Sequence, residues 1–232
     1  MARDATSGYF ASRFTPDARR DRVWEHVVAY LSRWWDADAA VLDVGAGYCS
    51  FINAVKAGRR VAVDIHDRLD EYAAPGVETL QASATDLGEL PSSTFDVVFA
   101  SNLLEHLTRD EIFVALGEFR RVASAGGRLI LVQPNYRLAS RAYWDDYTHV
   151  TPLSDRSLTD IVKVAGFTPV DVQPRFMPFT LSSRLGRGVA LTPIYLRLPW
   201  RPLAGQMLVV ARAGEVAGSD AENGHARTSA TT

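Results

Sequence analysis

Short apolar runs alternate along the chain with stretches in which apolar residues return every three or four positions. The runs fall at Val41–Val44, Arg60–Val63, Val77–Gln81, Phe95–Ala100, Arg128–Val132, Thr168–Val172 and Gln206–Ala211. Most of the first five are continuously apolar, as expected of strands buried on both faces of a parallel sheet. Helical spacing appears at Asp17–Trp35, Ser50–Ala57, Arg109–Ala123 and Ser154–Ala165. The last of these has a start signal in Pro152, Ser154 and Asp155 and a stop at Gly166. Strands alternating with helices imply right-handed crossovers, hence a doubly wound α/β sheet with helices on both faces.

The 232 residues suit one well-buried core. A helical cap is expected over 1–38 and the α/β body over 39–212, with insertions at 133–153 and 175–205. The stretch 213–232 is rich in Ala, Gly, Ser, Thr and Glu and has no aromatic residue, so a disordered tail is expected.

Composition narrows the classes. A net charge of −2 gives no case for general nucleic-acid binding. The single cysteine, Cys49, excludes an internal disulfide and a multi-cysteine zinc site. Met1 to Phe10 carry no apolar run, and no segment reaches the ~18 apolar residues of a spanning helix. A soluble cytoplasmic chain is the expectation.

Candidate chemistry begins at the first strand, which runs into Asp43 and then Gly45-Ala46-Gly47 before a helix. Glycines there let backbone approach a ligand and permit positive φ, at the carboxyl end of a strand where open α/β sheets bind ligands. A lone Gly-x-Gly selects no nucleotide. Asp43 adds a carboxylate at a strand end, costly unless it organises the turn or meets a cation. Asp64 ends the second strand, where an acid accepts from ribose hydroxyls. Asp86 follows the third strand, placed to accept from an adenine amino group. Each acid also has a plainer reading as a cap or turn residue. All three following successive strands, in order, favours a shared ligand.

Val41-Leu-Asp-Val-Gly-Ala-Gly47, Val63-Asp64, Ala84-Thr85-Asp86 and Phe95-Asp-Val-Val-Phe-Ala-Ser-Asn-Leu-Leu-Glu-His106 together resemble the ordered motifs of the class I methyltransferases that use S-adenosylmethionine (SAM). The likeness is greatest to the small-molecule branch called type 11 and covers roughly 40–135. It implies a Rossmann-like, mainly parallel seven-stranded sheet whose last strand is antiparallel, with SAM as cofactor. It places Asp43, Gly45 and Gly47 at the methionine end of SAM, Asp64 at the ribose, Asp86 at the adenine and Ser101 beside the cofactor. Ala46, Ile65 and Thr85 flank those positions. Cys49 departs from the family, which often has a third glycine there.

Methyl transfer is an in-line displacement, so the protein's main task is to align the acceptor atom. A hydroxyl acceptor also has a proton to lose, to a base or through a metal. His149, His106 and Asp146 are the catalytic candidates, on the loops after the fifth and fourth strands, with His149 the first choice of base. The plainer readings are a packed helix-start histidine for His106, a loop anchor for His149 and solvated loop acids for Asp145 and Asp146. Metal-binding relatives in ubiquinone biosynthesis carry a Glu-x-x-Glu-His stretch; here Asn102 replaces the first acid, and no metal is expected.

Tyr143, Trp144 and Tyr147 beside Asp145 and Asp146 suit a sugar. Val172 to Gly214 contain no acidic residue, while Arg175, Arg184, Arg187, Arg197, Arg201 and Arg212 stand among aromatics. That makeup suits an anionic or lipid-linked acceptor and peripheral membrane contact through 175–205, or else a packed appendage. The expected activity is methylation of a small or lipid-linked polar acceptor, first of all at a hydroxyl of a sugar, glycolipid or natural product. The rivals are N- or C-methylation of another metabolite, a dinucleotide oxidoreductase and a non-catalytic partner protein of the same fold.

Overall fold

The computed structural model describes residues 18–178 and 188–214. Residues 1–17 of the expected cap, 179–187 of the second insertion and 215–232 of the expected tail lie outside them.

Helix α1 (Ala18–Leu31) buries Val23, Trp24, Val27, Val28 and Leu31, a stripe at helical spacing, and a 3₁₀ turn (Ser32–Trp34) follows. Then come β1 (Ala40–Val44), α2 (Ser50–Ala54), β2 (Arg59–Asp64), α3 (Leu69–Tyr72), β3 (Glu78–Gln81) and β4 (Phe95–Ser101). A second 3₁₀ turn (Leu104–His106) leads to α4 (Arg109–Val122), whose start is fixed by a capping box between Thr108 and Glu111. Strand β5 (Ala123–Pro134) begins at once. Helices α5 (Tyr136–Tyr143) and α6 (Asp155–Val164) precede β6 (Phe167–Pro178), and α7 (Gly188–Arg197) precedes β7 (Ala204–Ala213).

The seven strands form one sheet in the order β3-β2-β1-β4-β5-β7-β6. The first five pair in parallel, and β7 runs antiparallel between β5 and β6. Strand order reverses between β1 and β4, the place where such sheets bind ligands.

Each face carries its own core. On one, Leu42, Val44, Val63, Leu129 and Leu131 pack with Ile112, Leu116 and Phe119 of α4 and Leu158 and Val162 of α6. On the other, Val41, Ala62, Phe99, Ile130 and Val132 pack with Val27 and Leu31 of α1 and Phe51 of α2. The rings of Phe51 and Phe99 stack at 3.6 Å and 9°. Truncating such a buried ring costs about 3–5 kcal/mol.

Some elements differ from the sequence reading. The β5–β7–β6 ribbon is longer than its apolar runs, because antiparallel pairing continues through Gln133, Pro134 and Gln173–Pro178. Helix α2 stops at Ala54, three residues early. Helices α5 and α7 lie within the two expected insertions; α5 was hidden among aromatic residues and α7 contains Pro193.

Candidate functional site

Strand β1 delivers the chain into a turn in which Gly45 and Gly47 take φ of +74° and +53°. The amides of Gly45 and Ala46 donate to the carbonyl of Val63 at 2.8 and 3.1 Å, tying the turn to β2. A Cβ on Gly45 would meet Leu103 at 3.0 Å, whereas one on Gly47 would meet nothing within 4 Å. Both glycines are favoured by their positive φ; a Cβ on Gly45 would also press on the Leu103 side chain, whereas Gly47 stands beside open space. Cys49, where the family often has glycine, itself takes φ 58° at the start of α2. Its thiol is fully buried and pushed up to about 12, by burial first and then by Asp43 and Asp64.

The two acids of the turn have different surroundings. Asp64 accepts from the amide of Gly47 at 2.8 Å through Oδ2 and from that of His66 at 3.0 Å through Oδ1. A carboxylate offers about four lone-pair sites, so further hydroxyl groups can be accepted. Asp43 is 2% exposed. Burial, then the charge of Asp64, holds its carboxyl well above the ordinary range, against a smaller opposing effect of a backbone hydrogen bond at Ile52. A cation arriving above the turn would relieve both effects. The residues thus fit SAM: an open cradle over Gly47, hydroxyl acceptors on Asp64 and a buried acid that favours positive charge.

These groups line a cavity of about 660 Å³ between the ends of β1, β2 and β4. Its wall includes Asp43, Gly45, Ala46, Gly47, Asp64, Ile65, Ser101 and His106, all of them residues named from the sequence. Four expected residues are not in that wall. Thr85 bonds Ser83 at 2.7 Å, and Asp86 is exposed and accepts from the amide of Gly88 at 3.2 Å. The cause is where β3 ends: Ala82 bonds the carbonyl of Asp64 at 3.0 Å, so Ala82, Ser83 and Ala84 pass the cavity and the chain has turned away by Asp86. His149 and Asp146 stand behind His106.

The part of the cavity near His106 is stitched from distant segments. The amides of Val150 and Thr151 donate to the carbonyl of Glu105 at 2.8 and 3.2 Å, and Thr151 Oγ1 donates to the carbonyl of Leu107 at 2.6 Å. Tyr143, fully buried, donates its hydroxyl to the carbonyl of Thr151 at 2.6 Å. The loop after β5 is thereby held against the loop after β4. His149 Nδ1 lies 2.7 Å from the carbonyl of Tyr143, and the rings of His106 and His149 meet edge to face at 4.9 Å. Burial, then His149, lowers the pKa of His106. Burial pushes Glu105 up to about 8. For Asp146 burial works upward, but hydrogen bonds from Thr148 outweigh it and the net shift is down.

Sequence reasoning missed Ser83, Thr148 and Glu111 of the cavity wall, and Arg20 and Trp24 of α1, whereas Tyr147, read as an aromatic that suits a sugar, does line the cavity. Only the helical stripe of Trp24 carried a signal, and that signal read as core. Arg201 also changes role. It is 7% exposed and donates to Gln173 Oε1 at 2.6 Å and to the carbonyl of Leu196 at 2.5 Å, so it holds β6 and α7 together.

Residues 42–131 match a family model described as a methyltransferase domain. No curated protein matches the chain. Among solved structures, a SAM-dependent methyltransferase from Archaeoglobus fulgidus is 19% identical with a TM-score of 0.63, over 90% of this chain and 100% of that one. A 1,6-didemethyltoxoflavin-N1-methyltransferase from Burkholderia thailandensis, solved with 1,6-didemethyltoxoflavin and S-adenosylhomocysteine, is 20% identical with a TM-score of 0.58, over 90% and 85%. The [4+2]-cyclase SpnF, 18% identical over 82% and 80% with a TM-score of 0.58, has the same fold. Likeness at this identity establishes the fold, and the domain match supports an enzyme that uses SAM. The chain carries a SAM-dependent methyltransferase domain over residues 42–131.

Proposed function

We propose that the enzyme methylates a hydroxyl of a small polar acceptor that enters between His106, Tyr147 and Thr148. The observation that carries this is one cavity with the glycine turn and Asp64 on one wall and His106 on the other. SAM supplies an electrophilic methyl group when bound. Asp43, Gly45, Ala46 and Gly47 would hold its methionine end, and Asp64 with Ile65 its ribose. Ser83, rather than Asp86, would meet the adenine. Trp24 and Arg20 would shield it from α1, in keeping with a cap over 1–38.

The acceptor oxygen is activated at the His106 edge, because a group that handles its proton must come within hydrogen-bond reach. His149 and Asp146 act through His106: His149 packs against its ring, and Asp146 accepts from Thr148, which bonds His106 Nδ1. Exposed Tyr147 offers a surface on which the apolar face of a sugar can stack. Radiolabelled SAM turned over against sugars, glycolipids, amines and carbon acids tests this. Hydroxyl-bearing acceptors should become labelled, and labelling confined to nitrogen or carbon acceptors would replace this reading with the corresponding one.

A lipid-linked acceptor has a specific observation in its favour. Leu191, Ile194, Leu198, Trp200 and Leu203 are exposed around α7 and the turn after it, in a stretch without acidic side chains. Such a patch suits the headgroup layer of a membrane. No helix among the described residues is long and apolar enough to cross one. The single free Cys49 suits a reducing cytoplasm.

A further inference from the structure

Behind the acceptor edge, Glu105, His106 and His149 each offer one ligand atom, and the three atoms lie within 4.8 Å of one another. Glu105 is 2% exposed, and its Oε2 is buried with no hydrogen-bond partner. An orphaned carboxylate oxygen is destabilising unless something positive meets it.

Both rings are set to present Nε2. The carbonyl of Tyr143 can only accept, so Nδ1 of His149 carries the proton at 2.7 Å. Thr148 donates its hydroxyl proton to Asp146 at 2.6 Å, so its Oγ1 accepts from His106 Nδ1 at 2.9 Å. In a neutral ring the lone pair is then on Nε2 in both cases. Metal-ligating histidines are held in this way, the outer nitrogen donating to an oxygen while the inner one bonds the ion.

We propose that Glu105, His106 and His149 bind one divalent first-row transition ion of the zinc type, through a carboxylate oxygen and two Nε2 atoms. Two imidazoles make the set unsuited to magnesium or calcium, which take oxygen ligands. Ligand atoms about 2.1 Å from one ion can be at most about 4.2 Å apart, so binding draws the trio together. Three protein ligands leave a coordination position, and His106 lines the cavity, so that position opens toward the acceptor.

This role rests on the methyl-transfer reading above and specifies how the hydroxyl is activated. A hydroxyl on the ion has a lowered pKa and loses its proton to water. Its oxygen pair forms the O–C bond, and the C–S bond breaks with its pair left on sulfur. One proton is released per methyl group moved.

The test reads metal uptake on the full, tag-free chain, stripped with a chelator, with neither SAM nor acceptor present. Calorimetry should show one equivalent of Zn²⁺ or Co²⁺, and Co²⁺ should develop visible absorption bands. Glu105→Gln and His149→Asn should each weaken uptake by ~100-fold, and Mg²⁺ should bind far more weakly than Zn²⁺. His106→Ala, at the half-buried cavity edge, should weaken uptake similarly and keeps the test decisive if a buried variant misfolds. A folded wild-type chain that takes up neither ion, or a folded His106→Ala that takes up as much as wild type, overturns the site. Uptake by a wild-type chain that fails to methylate any hydroxyl acceptor supports the site and removes the function given to it.

Discussion

The two walls of the cavity are made of different material. Around Asp64 the wall is main chain: Gly45, Ala46 and Gly47 are fixed by amide bonds to Val63 and to the Asp64 carboxylate, all within twenty residues of sequence. Around His106 the wall is side chain, drawn from two loops whose bonded partners are 42 residues apart. A turn that recognises a constant ligand needs only dihedrals and a few acids, which tolerate little change. A wall of side chains can be altered residue by residue to suit a different acceptor. The contrast explains why the B. thailandensis methyltransferase shares this fold at 20% identity while binding a substrate of its own.

The sharpest test removes the acceptor wall and leaves the cofactor wall alone. His106→Ala should lower turnover by ~10²-fold or more, with SAM affinity within about twofold of wild type by calorimetry. Equal loss of both would mean that the two walls are not separable. The reverse experiment is Gly45→Val, which forces a branched side chain into a left-handed dihedral 3.0 Å from Leu103. Strain of about 2–3 kcal/mol corresponds to SAM binding ~30–100-fold weaker, in a chain whose circular dichroism is unchanged.

Smaller effects resolve the cofactor wall itself. Asp64→Ala should weaken SAM binding by about 1–3 kcal/mol, since ribose hydroxyls would be left unpaired. Unchanged affinity would remove Asp64 from the site. Asp43 gives a pH signature. Its carboxyl is held above the ordinary range in the free protein, and a bound cation favours its ionised form, so binding releases a proton. Affinity should therefore rise with pH, by at most tenfold per unit, while Asp43 titrates. Calorimetry in buffers of different ionisation enthalpy reads that proton, and heats independent of buffer would contradict the assignment. Least of all, Asp86→Ala should change SAM affinity by under about 0.5 kcal/mol, as expected of an exposed carboxylate outside the wall.

The stretch around α7 also shows how a charge run divides on folding. Arg201 stands in the same acid-free stretch as Arg197, yet it is buried and donates hydrogen bonds to Gln173 Oε1, the carbonyl of Leu196 and the hydroxyl of Tyr30. Its neighbours Trp200 and Leu203 are exposed instead. Composition left docking and packing both open for this stretch, and tertiary structure buried Arg201 while leaving Trp200 and Leu203 exposed.

By itself the sequence determined the sheet, its parallel half and the glycine turn, because these depend on local signals. Buried strands read as apolar runs, a capped helix as the Ser154 start, and the turn as glycines after Asp43. Tertiary structure alone decided that Ser83 and not Asp86 faces the cavity, since that depends on where β3 stops pairing with β2. It also decided that His106 reaches the wall with His149 behind it and that Glu105 joins them in the interior. Those relations are made by hydrogen bonds between loops far apart in the chain, and residue spacing carries no record of them.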